Sequence, residues 1–247
     1  MGVALVLGAV VGSFLNVVVV RIPRGQSLVR PPSHCGVCGK PIRWFDNIPL
    51  LSFLWLRGRC RLCQTRISWR YPVIEATTAI LFALAAPRVG WGVELVGAWL
   101  FVAVLVAIAA IDLEHQVIPD SISLPAIAAG LALSFVTPSR VWVDSLLGIT
   151  VGAGIPFAVI ILSRGGMGGG DMRLGALIGA FLGWQLALLS LFMAVLLGGV
   201  VATALLVAGR KGRKDRIPFG PFLAGSGVIC LLWGNALLGW YWSSFTP

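Results

Sequence analysis

Charge is what this sequence has least of. Charged residues make up 11% of its 247 positions and hydrophobic ones 58%, whereas about 25% charged is usual for a soluble domain. That balance excludes an ordinary soluble globular fold. Acids are scarcest: nine Asp and Glu stand against 19 Lys and Arg, for a net charge of +10. No basic segment precedes the apolar first 20 residues, as a cleavable signal peptide requires. Arg21 and Arg24 follow that run instead, so it is expected to be a retained first span with its N-terminus outside. No internal repeat, no low-complexity tract and no Rossmann-type glycine fingerprint is visible.

What the chain does have is long apolar runs, and about 20 such residues in a helix cross a hydrocarbon core of about 30 Å. The expected fold is all-α, a polytopic membrane helix bundle of about eight spans: 1–20, 71–87, 91–111, 122–137, 141–163, 172–183, 185–208 and 218–242. Loop 21–70 holds ten of the 19 Lys and Arg against one acid, Asp46. Loop 209–216 adds Arg210, Lys211, Arg213, Lys214 and Arg216. Basic loops face the cytoplasm. Both loops can do so only if the stretch 174–208 crosses twice, turning near Gly183 and Trp184. The remaining polar segments then collect on the cytoplasmic face. The positive charge is read as an orientation signal and a match for anionic membrane lipids, with no nucleic acid as partner.

Five cysteines are present, and Cys230, in a late apolar run, reads as a packing residue. Cys35-Gly-Val-Cys38 and Cys60-Arg-Leu-Cys63 are two C-x-x-C knuckles separated by 21 residues. A two-residue gap lets both thiolates of a knuckle reach one ion, and two knuckles complete a tetrahedral site suited to Zn2+. The expected product is a small zinc-ribbon-like loop. Gly36 and Gly39 allow tight turns there. A reducing cytoplasm disfavours disulfides; free or redox thiols are the other reading. A closed site of four cysteines has no position for substrate, so its zinc would be structural. His34, beside Cys35, is a competing ligand or a solvated neighbour.

Two acids stand at the edges of apolar runs. Asp112 ends one, and Asp171 opens another after Gly165-Gly166-Met167-Gly168-Gly169-Gly170. Acids at membrane depth are costly and mark function. Asp120 and Asp171 are also placed to N-cap the helices that follow them. Asp112 has no such structural role, because an acid at a helix C-terminus opposes the dipole. Two carboxylates in one site share a proton, and one acts as base on a water. From the dipoles, Asp112 is expected to hold the proton and Asp171 to be the base. Gly168 and Gly170 either let backbone approach a bound peptide or simply form a turn.

These motifs together resemble the type IV prepilin peptidase family over nearly the whole chain. Gly12-Ser13-Phe14-Leu15-Asn16-Val17-Val18 resembles its first-span signature. The stretch from Cys35 through Trp44-Phe45-Asp46-Asn47-Ile48-Pro49, Leu56-Arg57-Gly58-Arg59-Cys60 and Cys63 to Arg70-Tyr71-Pro72-Val73-Ile74-Glu75 resembles its cytoplasmic loop. Asp112 to Asp120 resembles the first aspartate motif, and Gly166-Met167-Gly168-Gly169-Gly170-Asp171 the second, of G-x-G-D type. Pro218-Phe219-Gly220-Pro221-Phe222 resembles the last loop motif. Arg173 stands where the family usually has Lys.

The resemblance implies a membrane aspartic endopeptidase of the bacterial cytoplasmic (inner) membrane, with active site and zinc loop on the cytoplasmic side. Such enzymes cut the short basic leader from prepilins or pseudopilins of type IV pilus, type II secretion or competence systems. Many then N-methylate the new terminus with S-adenosylmethionine. Carried over by motif, Asp112 and Asp171 are the catalytic pair, and Cys35, Cys38, Cys60 and Cys63 the zinc ligands. Asp46, Asn47 and Glu75 are candidates for methyl transfer. Glu114, Asp120, Gly168 and Gly170 are candidates for contacting substrate. The expected domains are a first span, 1–20; a zinc-binding and methyltransferase loop, 21–70; and a multi-span peptidase core, 71–247. Three rival readings are a transporter with the aspartates as proton relay, a non-catalytic subunit docking through its zinc loop, and a presenilin-like G-x-G-D protease. The last lacks the cysteine loop.

Overall fold

The structure, a computed structural model, describes residues 1–137, 141–163, 167–209 and 217–244. Gly165 and Gly166 of the glycine-rich stretch, residues 138–140 and the basic segment 210–216 lie outside the described residues.

Helices dominate: α1 (Gly2–Arg21), α2 (Leu51–Trp55), α3 (Arg70–Val89), α4 (Val93–His115), α5 (Asp120–Val136), α6 (Trp142–Leu162), α7 (Gly169–Leu182), α8 (Trp184–Val207) and α9 (Gly220–Ser243). No β-strand occurs among the described residues, only two isolated bridges, His34 with Pro41 and Arg59 with Arg66. Leaving aside the five-residue α2, eight helices among the described residues correspond to the eight expected spans. Six of them, α1, α3, α4, α6, α8 and α9, are long and apolar enough to cross a membrane. α5 has 17 residues and α7 only 14. The expected break at Gly183 is present, with φ +80° between α7 and α8.

The chain forms two compact units, Met1–Gly90 and Trp91–Pro247. In the first, α1 and α3 pack antiparallel. The geometry leaves no room for a side chain at Gly8, where a Cβ would lie 2.7 Å from the Ala79 Cα, or at Gly12, where it would lie 2.7 Å from the Glu75 Cα. One turn on, Asn16 Nδ2 donates to the Tyr71 carbonyl at 3.2 Å. Arg21, buried at the end of α1, donates to the carbonyls of Ser27 (2.9 Å) and Pro31 (2.6 Å), which pins the start of the loop to the span.

The second unit is built around α4, α7 and α9. Phe101, Leu105 and Ile108 of α4 meet Leu174, Leu177, Ile178 and Phe181 of α7, and Leu223 of α9, in one buried cluster. The Phe101 and Phe181 rings stack at 5.0 Å. On its other side α7 crosses α6 through four glycines. Gly148 faces Gly179 and Gly152 faces Gly175, so closely that a Cβ at any of them would overlap the carbonyl opposite. Small residues four apart on both helices let the backbones touch, which in lipid replaces the missing hydrophobic drive. Gly152→Leu is therefore expected to cost about 3 kcal/mol or more of stability, because rigid backbone cannot yield as a side chain can. Gly154→Leu, on the same helix with nothing within 4 Å, is expected to be harmless. Thermal unfolding of both variants in detergent reads the difference.

Candidate active site

Asp112 lies in the last turn of α4, which continues to His115 before Gln116 closes it at φ +54°. Asp171 lies in the first turn of α7. Both open into one cavity of about 900 Å3. Its walls are mostly apolar and include Ile155 and Val159 of α6 and Leu188, Phe192 and Val195 of α8. Asp112 is buried, and its Oδ2 accepts a hydrogen bond from the Gly220 N–H at 3.0 Å. Gly220 opens α9, so Asp112, in the last turn of its own helix, faces the N-terminus of another. A helix N-terminus favours an anion. The role division expected from the dipoles at Asp112 and Asp171, with the proton on Asp112, is therefore opposed by α9.

Neither Asp120 nor Asp171 occupies a cap position; those belong to Pro119 and Gly168. The Asp171 carboxylate nevertheless meets the Gly168 N–H, the backbone group at the cap. Asp120 instead pairs with Arg173 of α7, tying the starts of α5 and α7 together. Arg173 Nε also donates to the Gly169 carbonyl at 3.3 Å. Of the residues expected to contact substrate, Gly168 lines the cavity. Gly170 is packed against Ile118, whose Cβ would lie 2.9 Å from a Cβ at that position; its missing side chain serves packing. Glu114 is exposed one turn from the cavity and lies 3.9 Å from His115 Nε2.

In the first unit the four cysteines converge, with all four Sγ atoms within 4.8 Å of one another. Cys35 and Cys63 Sγ are 3.7 Å apart. Tetrahedral Zn–S bonds of about 2.3 Å require S···S edges of about 3.8 Å, so the donor set fits zinc. The knuckles are also a structural repeat, despite the expectation of none. In each, the first cysteine's N–H bonds the carbonyl five residues on, Lys40 or Thr65, at 2.9 Å. Each turns through a left-handed residue, Gly39 at φ +67° or Gln64 at φ +59°. Thr65, through its hydroxyl and its N–H, lowers the Cys63 thiol to about 6. The Lys40 N–H favours a Cys38 thiolate, but burial and the adjoining thiols push that group up to about 11.

Asp46 grips Arg61, inside the second knuckle, through Nε (2.8 Å) and Nη2 (2.6 Å). This fork fixes the turn Trp44–Asn47 against the knuckle and occupies both carboxylate oxygens. Asn47 lines a second cavity of about 670 Å3, with Ser13, Phe14, Arg21 and Trp44. Glu75 is buried in α3, where it accepts from the Leu50 N–H at 2.8 Å and meets the Ser13 hydroxyl.

Comparison with known proteins bears on both units. Residues 6–89 match the Bacterial Peptidase A24 N-terminal domain, and residues 99–203 match the Type IV leader peptidase family. A protein of Aeromonas hydrophila named prepilin leader peptidase/N-methyltransferase is 36% identical over 266 aligned residues, covering 95% of this chain and 91% of its own length. The chain belongs to the type IV leader peptidase family. A like-named protein of Bacillus subtilis (strain 168) is 32% identical, over 98% of this chain and 97% of its own. A third, from Myxococcus xanthus (strain DK1622), is 45% identical over 85% of this chain, which spans 64% of that relative. No solved structure matches.

For this member of the leader peptidase family, sequence reasoning missed the Gly220 N–H. Its one signal was a glycine between Pro218 and Pro221 at a span's start, where a proline-bounded helix leaves its first N–H unclaimed. Gln116, Met167 and Phe219 also line the cavity; each lies in a motif the sequence offered, but none was given a role. The cysteine cluster carries its own prediction. Cys35→Ser or Cys63→Ser is expected to remove bound zinc and open the loop between residues 33 and 67 to protease. Metal analysis and limited proteolysis of purified protein check this, and a loop that stays resistant without metal would refute a structural zinc.

Proposed function

We propose that this chain is a membrane aspartic endopeptidase that removes the leader of prepilins or pseudopilins and then N-methylates the new N-terminus. The observation that carries the peptidase reading is the convergence of Asp112 and Asp171 on one apolar-walled cavity. The walls suit the apolar stem of a prepilin. The two carboxylates stand at the same end of antiparallel helices, where a water can enter. One carboxylate takes a proton from that water, whose oxygen attacks the scissile carbonyl carbon. The other, protonated, donates to the carbonyl oxygen. Collapse of the tetrahedral adduct breaks the C–N bond, and the amine leaves with a proton from the pair. The dyad titrates as one unit, so neither role is tied to one residue. The Gly220 N–H holds Asp112 in register.

Residues 21–70 form the zinc and methyl-transfer loop, held between α1 and α3 of the first unit, and the second unit, 91–247, is the peptidase core. Cys35, Cys38, Cys60 and Cys63 hold a structural Zn2+. S-adenosylmethionine supplies the methyl group. Asn47 and Glu75 are the polar groups offered to that chemistry, and Asp46 supports them through Arg61. Asp120 orients Arg173 beside Asp171, and Glu114 attracts the basic leader. The excess of Lys and Arg in loops 21–70 and 209–216 supports an active site and zinc loop on the cytoplasmic side, with the N-terminus outside.

The test is incubation of the purified chain with a prepilin and S-adenosylmethionine, read by mass spectrometry. Loss of the leader and a gain of one CH2 group are expected. An uncut prepilin with well-folded protein would sink the peptidase reading, and a cut but unmethylated product the methyltransferase reading.

A further inference from the structure

Helix α2 carries no charge, and three of its five side chains, Leu51, Leu54 and Trp55, are 63%, 70% and 81% exposed. In an aqueous loop this apolar face would be a liability. Its height, however, is set by α3. The Leu50 N–H, at the start of α2, is held by Glu75 Oε2 at 2.8 Å. Glu75 is five residues into α3, about 7.5 Å along the axis. Further along α2, the Phe53 ring packs at 4.9 Å against Trp69, the residue before α3 begins. The Gly58 N–H then bonds the Phe53 carbonyl at 2.8 Å. So α2 runs level with the first turns of a helix long and apolar enough to cross a membrane.

We propose that α2 is an in-plane foot, with Leu51, Leu54 and Trp55 inserted at the headgroup–acyl boundary of an anionic bilayer and Arg57 and Arg59 on lipid phosphates. Two further tryptophans at this end, Trp44 and Trp69, are 81% and 72% exposed, and tryptophan favours that boundary. Arg57 and Arg59 follow α2 directly and are exposed. Loop 21–70 as a whole has ten basic residues and one acid. Apolar and aromatic groups on one side with arginines beside them are the composition of interfacial segments. The charge balance favours lipid over a protein partner, and the height of α2 puts it where lipid is. Asn47 and Ile48, which line the first unit's cavity, lie between Trp44 and α2, so the bilayer would steady one wall of that cavity.

The experiment places a benzophenone amino acid at Leu54 or Trp55 of the full chain in phosphatidylglycerol–phosphatidylcholine vesicles. Irradiation and mass spectrometry follow. Phospholipid adducts are expected at both positions, with most of the yield lost in phosphatidylcholine alone. Adducts only to protein, whether this chain or a second copy, would overturn the proposal, as would an equal yield without the anionic lipid. The unlabelled chain gives a second reading that needs no probe. Brominated acyl chains should quench the wild type more than Trp55→Phe, and equal fractional quenching counts against insertion.

Discussion

Asp112→Asn and Asp171→Asn are each expected to lower the rate of leader cleavage by about 10³-fold or more, with the chain still folded. The amide is nearly isosteric with the acid, so it can keep the Gly220 N–H bonded to position 112. It can neither take a proton from water nor hand one to a carbonyl. Because the pair acts as a unit, the double variant is expected to be no slower than either single one. Initial rates on a prepilin, beside melting curves in detergent, decide the matter. Methyl transfer to a pilin that has already lost its leader gives a second measure, and it should survive in both variants. Cleavage persisting in both would remove the dyad from the reaction, whereas a well-folded wild type that does not cleave would return weight to a docking or transport role.

Gly220→Ala is expected to reduce kcat by about 10²-fold and leave KM nearly unchanged, since small displacements of a reacting group cost that much. A Cβ at this position would lie 2.6 Å from Asp112 Oδ2 and 3.0 Å from its Cγ. The carboxylate must move off its donor, while the apolar walls that hold the substrate stem stay in place. Gly225→Ala is the matched control, because it lies on the same helix with nothing within 4 Å. Equal activity of the two alanine variants would show that the Gly220 contact has no catalytic consequence. A fall in stability alone would appear in the melting curve and in the fraction of active protein, and kcat per active molecule would be unchanged.

Much of this arrangement was legible in the sequence, because membrane insertion makes hydropathy nearly local. α6, expected over 141–163, forms as Trp142–Leu162, and α8, expected over 185–208, as Trp184–Val207. The knuckles were legible because the spacing of thiols is itself the coordination geometry. Reasoning failed where a partner is distant in sequence. Asp120 looked like a cap because capping is judged from neighbours, whereas its partner Arg173 is 53 residues away in the numbering. Gly170 looked like an opening for substrate because an absent side chain does not reveal what fills the space, here Ile118. The knuckle repeat was hidden because it lives in backbone hydrogen bonds, and its left-handed position is Gly39 in one copy and Gln64 in the other.

α7 has 14 residues, about 21 Å of helix, against a hydrocarbon core of about 30 Å. The helix that carries Asp171 in its first turn cannot fill the bilayer. Lipid must thin around it or water must reach down to it, and either places a carboxylate beside solvent without moving it out of the bundle. Bilayer thickness thereby becomes a variable of the chemistry. Reconstitution in lipids of increasing acyl-chain length should slow cleavage, since each added layer of hydrocarbon lengthens the path that water and a charged leader must travel.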